Sequence, residues 1–456
     1  MTEFSKLTLI EPLQRALSEV GYAQMTPVQE ASLPAILSGS DVVAQARTGS
    51  GKTAAFALGL LSSLDSTAVR LQGLVLCPTR ELADQVSREI RKLARFIPNV
   101  KVLTLCGGVP LRPHLASLAH EPHIVVGTPG RILELIEKQA LPLQAIKVLV
   151  LDEADRMLDM GFADAIGAIV QATPEQRQTL LFSATIPQSI REISREFQRE
   201  AVAVTIASEA DDATIEQTFF EVAAESKLHA LETLLLKYRP ESAVVFCNTR
   251  NEVRAVADDL FKCGFSVLAL HGELDQRERE EMLVRFANRS CTILVASDVA
   301  ARGLDIADLA MVINFDIASD ADTHLHRIGR TGRAGRRGIA LSLCSPREAT
   351  RARVIEDRLG EALTWGTLPP LSDDKPWAAP FVTLAIDAGR QDKLRPGDLL
   401  GALTGDAGLP GTAVGKIDVF PTRTYVAIER SSHNLAIQRL RAGKIKGRTF
   451  RIRKIG

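Results

Sequence analysis

The sequence predicts an α/β chain: two tandem parallel-sheet domains followed by a small α+β module. Three observations carry that reading. Short apolar runs alternate with amphipathic stretches along most of the chain, the pattern of βαβ units. The pattern also recurs. VLCPTRELADQVSREI at 75–90 aligns with VFCNTRNEVRAVADDL at 245–260, VKVLTLCGG at 100–108 with FSVLALHGE at 265–273, and HIVVGTPGR at 123–131 with TILVASDVAARG at 292–303, all at offsets near 165–170 residues. Lastly, charge is unevenly placed. From Pro376 onward there are 14 basic and 6 acidic residues, a net of +8, whereas the first 375 residues hold 41 basic and 49 acidic. The expected organisation is a first domain at 1–207, a short connection at 208–213, a second domain at 214–365, a proline-rich linker at 366–380 and a basic module at 381–456.

Length and composition agree. At 456 residues the chain exceeds one ordinary core. Apolar residues make up 46%, too many for a disordered polypeptide. No apolar run approaches the roughly eighteen residues of a membrane span, and the first thirty residues, with Glu3, Glu11 and Glu19, lack a signal-type apolar segment. Six scattered cysteines without a CxxC pair read as buried free thiols rather than a zinc site or a disulfide framework. A cytoplasmic protein without membrane attachment is expected. No dimerisation segment is visible, so a monomer is expected too.

Taken in order, DVV at 41–43 is a short strand, AQARTGSGKT at 44–53 a glycine-rich turn and AAFALGLL at 54–61 a helix. That context makes Ala46, Arg47, Thr48, Gly49, Ser50, Gly51, Lys52 and Thr53 a phosphate loop, with Ala46 where the common pattern has its first Gly. Gly49 and Gly51 permit close backbone approach, and N–H groups at a helix N-terminus cradle phosphate. Lys52 would reach the β/γ-phosphates and the Thr53 hydroxyl a Mg2+ ion. LQGLVLCPTRELADQVSREIRKL at 71–93 is strand, turn and helix, with Leu82, Val86, Ile90 and Leu93 on one helical face. IKVLVLDEAD at 146–155 is a buried strand delivering Asp152 and Glu153 at its carboxyl end. Asp152 suits a hard cation and Glu153 a general base for an attacking water.

These motifs, in this order, resemble the DEAD-box ATP-dependent RNA helicase family over about residues 4–345. The name-giving tetrapeptide is Asp152-Glu153-Ala154-Asp155. The resemblance implies two RecA-like domains, ATP with Mg2+, and RNA as substrate. Phe4 and GYAQMTPVQ at 21–29 are similar to the adenine-reading motif, which brings in Tyr22, Thr26 and Gln29. Pro78, Thr79, Arg80, Gly107, Gly108, Thr128, Gly130 and Arg131 look like the strand-gripping residues of the first domain, and Gln276, Arg279 and Ser297 those of the second. Asp155, Ser183, Thr185 and His326 resemble the residues that couple hydrolysis to unwinding. Arg330 and Arg333 in HRIGRTGR look like arginine fingers, and Asp305 like a ribose contact. The RNA-facing residues are phosphate donors without base-edge readers, so they hold backbone and not sequence. An RNA clamp or scaffold that never separates strands would use the same motifs, and a DNA helicase is a more distant rival.

The basic end reads as β-α-β-β-α-β, an RRM-like order. VTLAIDAG at 382–389, AVGKIDVFP at 413–421, RTYVAIER at 423–430 and TFRIRKI at 449–455 are the strands; 395–408 and 431–443 are the helices. Only Tyr425 on the RNP-like strand could stack on a base, so the cationic stretch with Lys444, Lys446, Arg448, Arg451 and Arg453 is the expected RNA contact. This end resembles a bacterial branch of the family whose terminal domain recognises a hairpin of 23S ribosomal RNA near the peptidyl-transferase centre. That resemblance implies a role on the pre-ribosomal large subunit.

Overall fold

The computed structural model describes residues 2–46, 49–206, 215–301, 309–332, 337–372, 374–406 and 408–455. The chain divides into two compact units, the first running Met1–Glu209 and the second from Ala210 onward.

The first unit is built on β1 (Val42–Gln45), β2 (Gly73–Leu76), β3 (Val102–Leu105), β4 (Ile124–Gly127), β5 (Val148–Asp152), β6 (Gln178–Ser183) and β7 (Val202–Thr205). They lie in the order β3-β4-β2-β5-β6-β1-β7, every pair parallel. Strands β2, β4, β5 and β6 are buried at every residue, as helices on both faces require of a parallel sheet. Helix Arg80–Leu93 starts where the Thr79 hydroxyl accepts from the Leu82 N–H, 3.3 Å, and buries the face read from Leu82, Val86, Ile90 and Leu93.

The second unit repeats the design with β8 (Ile215–Glu221), β9 (Ala243–Cys247), β10 (Val267–Leu270), β11 (Ile293–Ser297), β12 (Met311–Asn314), β13 (Gly338–Cys344) and β14 (Trp365–Gly366). Their order, β10-β11-β9-β12-β13-β8-β14, is the first sheet's order strand for strand. The three sequence matches fall on β2 and β9, β3 and β10, and β4 and β11, so the duplication inferred from sequence is a structural one.

A third, antiparallel sheet follows: β15 (Phe381–Ile386), β16 (Val414–Val419), β17 (Thr424–Glu429) and β18 (Ile452–Ile455), ordered β16-β17-β15-β18. Helices Pro396–Gly401 and His433–Ala442 cover one face. Val382, Leu384, Ile386, Val426, Ile428 and Ile452 point toward them into a core shared with Leu399, Ala436 and Leu440. This is the expected β-α-β-β-α-β fold, with the last strand shorter than the apolar alternation suggested.

The linker behaves differently from its composition. Trp365 and Gly366 form the edge strand β14 against Phe219 and Phe220. Leu368 and Trp377 pack on the second domain's core, Trp377 edge-on to Phe265 at 5.9 Å with the Arg239 guanidinium 5.3 Å from its ring centre. The stretch 366–380 is therefore fastened to the domain it leaves. Proline density reports a stiff chain, not whether aromatic side chains within it find a surface.

Candidate active site and nucleic-acid interface

The residues expected to bind ATP gather at the carboxyl ends of β1, β5 and β6. Gly49 and Gly51 take φ of +85° and +94°, which glycine alone adopts freely. A Cβ on Gly51 would also strike the Gln29 amide at 2.5 Å. Lys52 opens helix Lys52–Ser62; it is buried, and its Nζ donates to the Ala46 carbonyl, 2.8 Å. The Ser50 hydroxyl is buried with no hydrogen-bond partner among the described residues. Gln29 links the neighbouring motif to this loop: its Nε2 donates to Gly51 O, 3.0 Å, and its Oε1 accepts from Thr26 N, 2.8 Å. Tyr22 stacks on Phe4 at 6.4 Å and donates to Glu89, 2.8 Å. Burial and Glu89 push the Tyr22 phenol up to about 12.

Asp152 ends β5 and is 3% exposed. Burial pushes its carboxyl up to about 7, against the pull of the Lys52 ammonium. Glu153 follows at φ +52° and ψ +51°, a left-handed conformation that a non-glycine side chain adopts at some cost. Its carboxylate accepts from Arg156 Nη1, 2.8 Å, one helical turn on, with both side chains buried. Asp155 reaches across to β6: its Oδ2 accepts from Ala184 N at 3.1 Å, Thr185 N at 2.9 Å and the Thr185 hydroxyl at 2.9 Å, while Asp155 N donates to Ser183 Oγ, 3.2 Å. The acidic tetrapeptide and the Ser183–Thr185 run thus form one hydrogen-bonded block.

The residues of the first unit expected to grip the strand split into two groups. Gly108 and Gly130 are exposed, and the Arg80 guanidinium lies against Gly108, where a Cβ would come within 1.4 Å of Nη2. Thr128, by contrast, is buried and accepts from Gly107 N, 3.2 Å. Arg131, expected among the strand-gripping residues, is 7% exposed and directs its guanidinium inward. It donates to Val109 O, 2.7 Å, meets His114, and pairs with Glu134 at 3.0 Å. In this structure it braces the glycine loop. Pro78 is buried as well.

In the second unit, Gln276 and Arg279 sit in the first turn of helix Gln276–Ala287, which Asp275 and Glu278 cap reciprocally at 2.7 and 2.9 Å. Arg279 Nη2 donates to Ala300 O, 2.8 Å, beside the buried Ser297. His326 and the buried Arg330 bracket the end of helix Ala321–Ile328. Arg47, Thr48, Asp305 and Arg333 lie outside the described residues.

Sequence reasoning missed two arginines. Arg156 was detectable as the residue three after Glu153 on one helix. Arg327 was not, standing among five arginines in HRIGRTGRAGRRG. It is nearly fully buried, forks onto Asp298 through Nε and Nη2 at 2.7 Å each, and donates to Asn248 Oδ1, 2.8 Å, and Asp316 O, 2.7 Å.

At the basic end, Lys444, Lys446, Arg448 and Arg451 are exposed around a tight turn in which Lys446 and Gly447 both have positive φ. Lys446 pairs with Asp398 at 3.4 Å and Arg448 with Asp392 at 3.6 Å. Arg453 differs from the other four: it is half-buried and donates to Asp387, 3.3 Å. Tyr425, the one candidate for base stacking, is fully buried, which removes that reading in this structure.

The chain matches the DEAD/DEAH box helicase family at residues 26–193, the helicase conserved C-terminal domain at 226–335 and the DbpA RNA binding domain at 383–454. It is 54% identical over 454 residues to the ATP-dependent RNA helicase DbpA of Escherichia coli K12, covering 99% of both chains. The chain belongs to the DEAD-box RNA helicase family. A DEAD-box helicase CshA from Bacillus cereus is 43% identical over 78% of this chain and 68% of its own length. Among solved structures, yeast Dbp5 bound to RNA and ADP BeF3 is similar at a TM-score of 0.71 and 27% identity, over 81% of this chain and 96% of that one. Mss116p bound to ssRNA and AMP-PNP is similar at 0.72 and 26%, over 81% and 80%. This DEAD-box helicase is thus an ATP-using, RNA-dependent enzyme with an RNA-binding terminal domain. No described helix is long and apolar enough to cross a membrane.

Proposed function

We propose that this helicase acts in the cytoplasm on 23S ribosomal RNA during assembly of the large ribosomal subunit. The reading rests on the terminal domain, matched to the DbpA RNA binding domain at 383–454 and carrying the exposed cations Lys444, Lys446, Arg448 and Arg451. The hairpin near the peptidyl-transferase centre is the substrate element that such a domain would hold. The helicase motifs would then act on whatever duplex lies beside it.

In the hydrolytic step Lys52 contacts the β/γ-phosphates and Glu153 accepts the proton of the attacking water as the γ-phosphorus–oxygen bond to ADP breaks. Arg156 fixes the Glu153 carboxylate for that role. Thr53 and Asp152 fit Mg2+, since a buried carboxylate raised toward neutrality is a hard oxygen donor in want of a cation. The ion would supply charge neutralisation on the phosphates when bound. Arg330 and Arg333 are proposed as the arginines that stabilise transition-state charge. Asp155 carries changes at the phosphate to Ser183–Thr185.

The test is ATPase rate titrated with the ribosomal hairpin and with a scrambled control at two salt concentrations. The hairpin should activate at much lower concentration. Neutralising Lys444, Lys446 and Arg451 should abolish that advantage and shrink the salt slope by about 0.7–0.9 per phosphate contact removed. Equal activation by both RNAs in the intact protein overturns the ribosomal reading.

A further inference from the structure

The face of the terminal sheet opposite its helices is the face that RRM-like domains usually offer to single-stranded bases. Here it carries Thr383, Ala385, Asp387, Tyr425, Arg453 and Ile455, the residues alternating with the core positions. Ala385, Tyr425 and Ile455 form one buried cluster with Val284, a residue of helix Gln276–Ala287 in the second helicase domain. Phe420 closes one side, edge-on to Tyr425 at 5.6 Å. A polar lock sits next to this cluster. Asn288, the residue that caps the same helix, donates from Nδ2 to the Thr383 hydroxyl, 2.9 Å, and that hydroxyl donates to Ser290 Oγ, 2.6 Å. Thr383 is wholly buried, and Asn288 and Ser290 are 4% and 8% exposed. Three polar groups that satisfy one another away from water specify a single arrangement, because any other leaves them buried and unpaired.

The fastened linker supplies an independent restraint. Trp377 on Phe265 and Arg239, and Arg430 donating from Nε to Ala379 O and from its backbone N–H to Pro380 O, tie both ends of the segment down. A free tether would leave Trp377 and Ala379 in water; Ala379 is fully buried.

The helix in question carries Gln276 and Arg279 at its start and Val284 and Asn288 at its end. At 1.5 Å per residue these ends lie roughly 18 Å apart on one rigid rod. We propose that the open face of the terminal sheet is an intramolecular socket for this helix, closed to nucleic acid, and that the socket holds RNA bound at the Lys444–Arg451 turn at one fixed spacing from Gln276 and Arg279. The interface is then a specificity determinant: it selects which duplex, counted in nucleotides from the bound hairpin, is presented to the helicase. The functional part rests on the ribosomal reading above; the docking does not.

The experiment uses the full chain and Val284→Glu, with Val284→Leu as the conservative control. Docking is read without RNA, by energy transfer between dyes on the exposed Cys263 and on Ser431→Cys. The intact protein and Val284→Leu should give one narrow distance, and Val284→Glu a broad distribution. Spacing is read by unwinding of duplexes placed at stepped distances from the hairpin. The intact protein should show one optimum with a loss of about 10-fold or more when the duplex is displaced by a few nucleotides. Val284→Glu should flatten that profile while leaving hairpin affinity unchanged. A broad distance distribution in the intact protein sinks the socket itself. Tighter hairpin binding by Val284→Glu means the uncovered sheet is an RNA platform and sinks it equally. A narrow distance with a flat spacing profile overturns the ruler. Loss of hairpin preference in the intact protein overturns the ribosomal reading alone, and a stepped duplex with any basic-turn ligand RNA then carries the spacing test.

Discussion

The two seven-stranded sheets share one strand order but hold the buried carboxylates at the same place differently. At the end of β5 the first sheet presents Asp152 and Glu153. Asp152 is pushed up to about 7 by burial, with the Lys52 ammonium as the cation pulling against that. At the end of β12, the equivalent strand, the second sheet presents Asn314 and Asp316. Asp316 accepts from Lys227 at 3.2 Å and from Asn248 N at 2.9 Å, while Arg327 spans its carbonyl and Asp298. In the first site burial lifts Asp152 toward neutrality beside an ion-paired Glu153; in the second the Asp316 carboxylate is held by Lys227 and Asn248. Duplication copied the scaffold, and the two copies surround their acids differently.

The sharpest way to break this contrast is at one acid and one arginine. Glu153→Gln should lower turnover by about 10²–10⁴-fold while nucleotide binding stays close to that of the parent. Steady-state hydrolysis beside nucleotide titration checks it. Near-normal turnover would remove Glu153 from the chemistry.

Arg327→Ala should do the reverse. Stripping the partner from Asp298 and Asp316 O within the core should cost about 3–5 kcal/mol in the second unit, read from denaturant melts. Nucleotide affinity of the first unit should hold. A stability change under about 1 kcal/mol would show that the network is not what organises this copy.

The smallest effect concerns protons. His324 lies fully buried beside Arg327 and accepts or donates to Gln217 at 3.1 Å. Burial, then Arg327, pushes its pKa down from 6.5 to about 4. The unfolded chain therefore binds a proton that the folded one refuses. The stabilisation is complete above pH 6.5 and fades as pH falls toward 4, by at most about 3 kcal/mol. His324→Gln should flatten that slope in melts of the second unit between pH 7 and 5. An unchanged slope assigns the acid sensitivity elsewhere.

Much of the molecule was legible beforehand. Continuous apolar runs, their repeat at a common offset and the glycine spacing around Lys52 specify parallel sheets and a phosphate loop locally, because backbone conformation and side-chain period are short-range properties. Asp155, Ser183 and Thr185 were grouped by the family resemblance, and the structure shows that they meet at one sheet edge. Long-range pairing was not readable. Whether Arg131 faces RNA or turns in to Val109 and Glu134 depends on a loop more than twenty residues earlier. Arg327 and its solvated neighbours look alike until the carboxylate that receives one of them is known.

The terminal module shows the division most plainly. The order of apolar and amphipathic segments determined by itself that a β-α-β-β-α-β module would form. It could not say what covers the sheet face away from the helices, since Thr383, Ala385 and Tyr425 suit a base, a solvent layer or another domain. The tertiary structure decided for the helix of the second domain, because Val284 and Asn288 meet that face with one apolar and one hydrogen-bonding group in register. Secondary structure follows from neighbours in sequence, whereas the partner of a surface follows from which distant shape and polarity fit it.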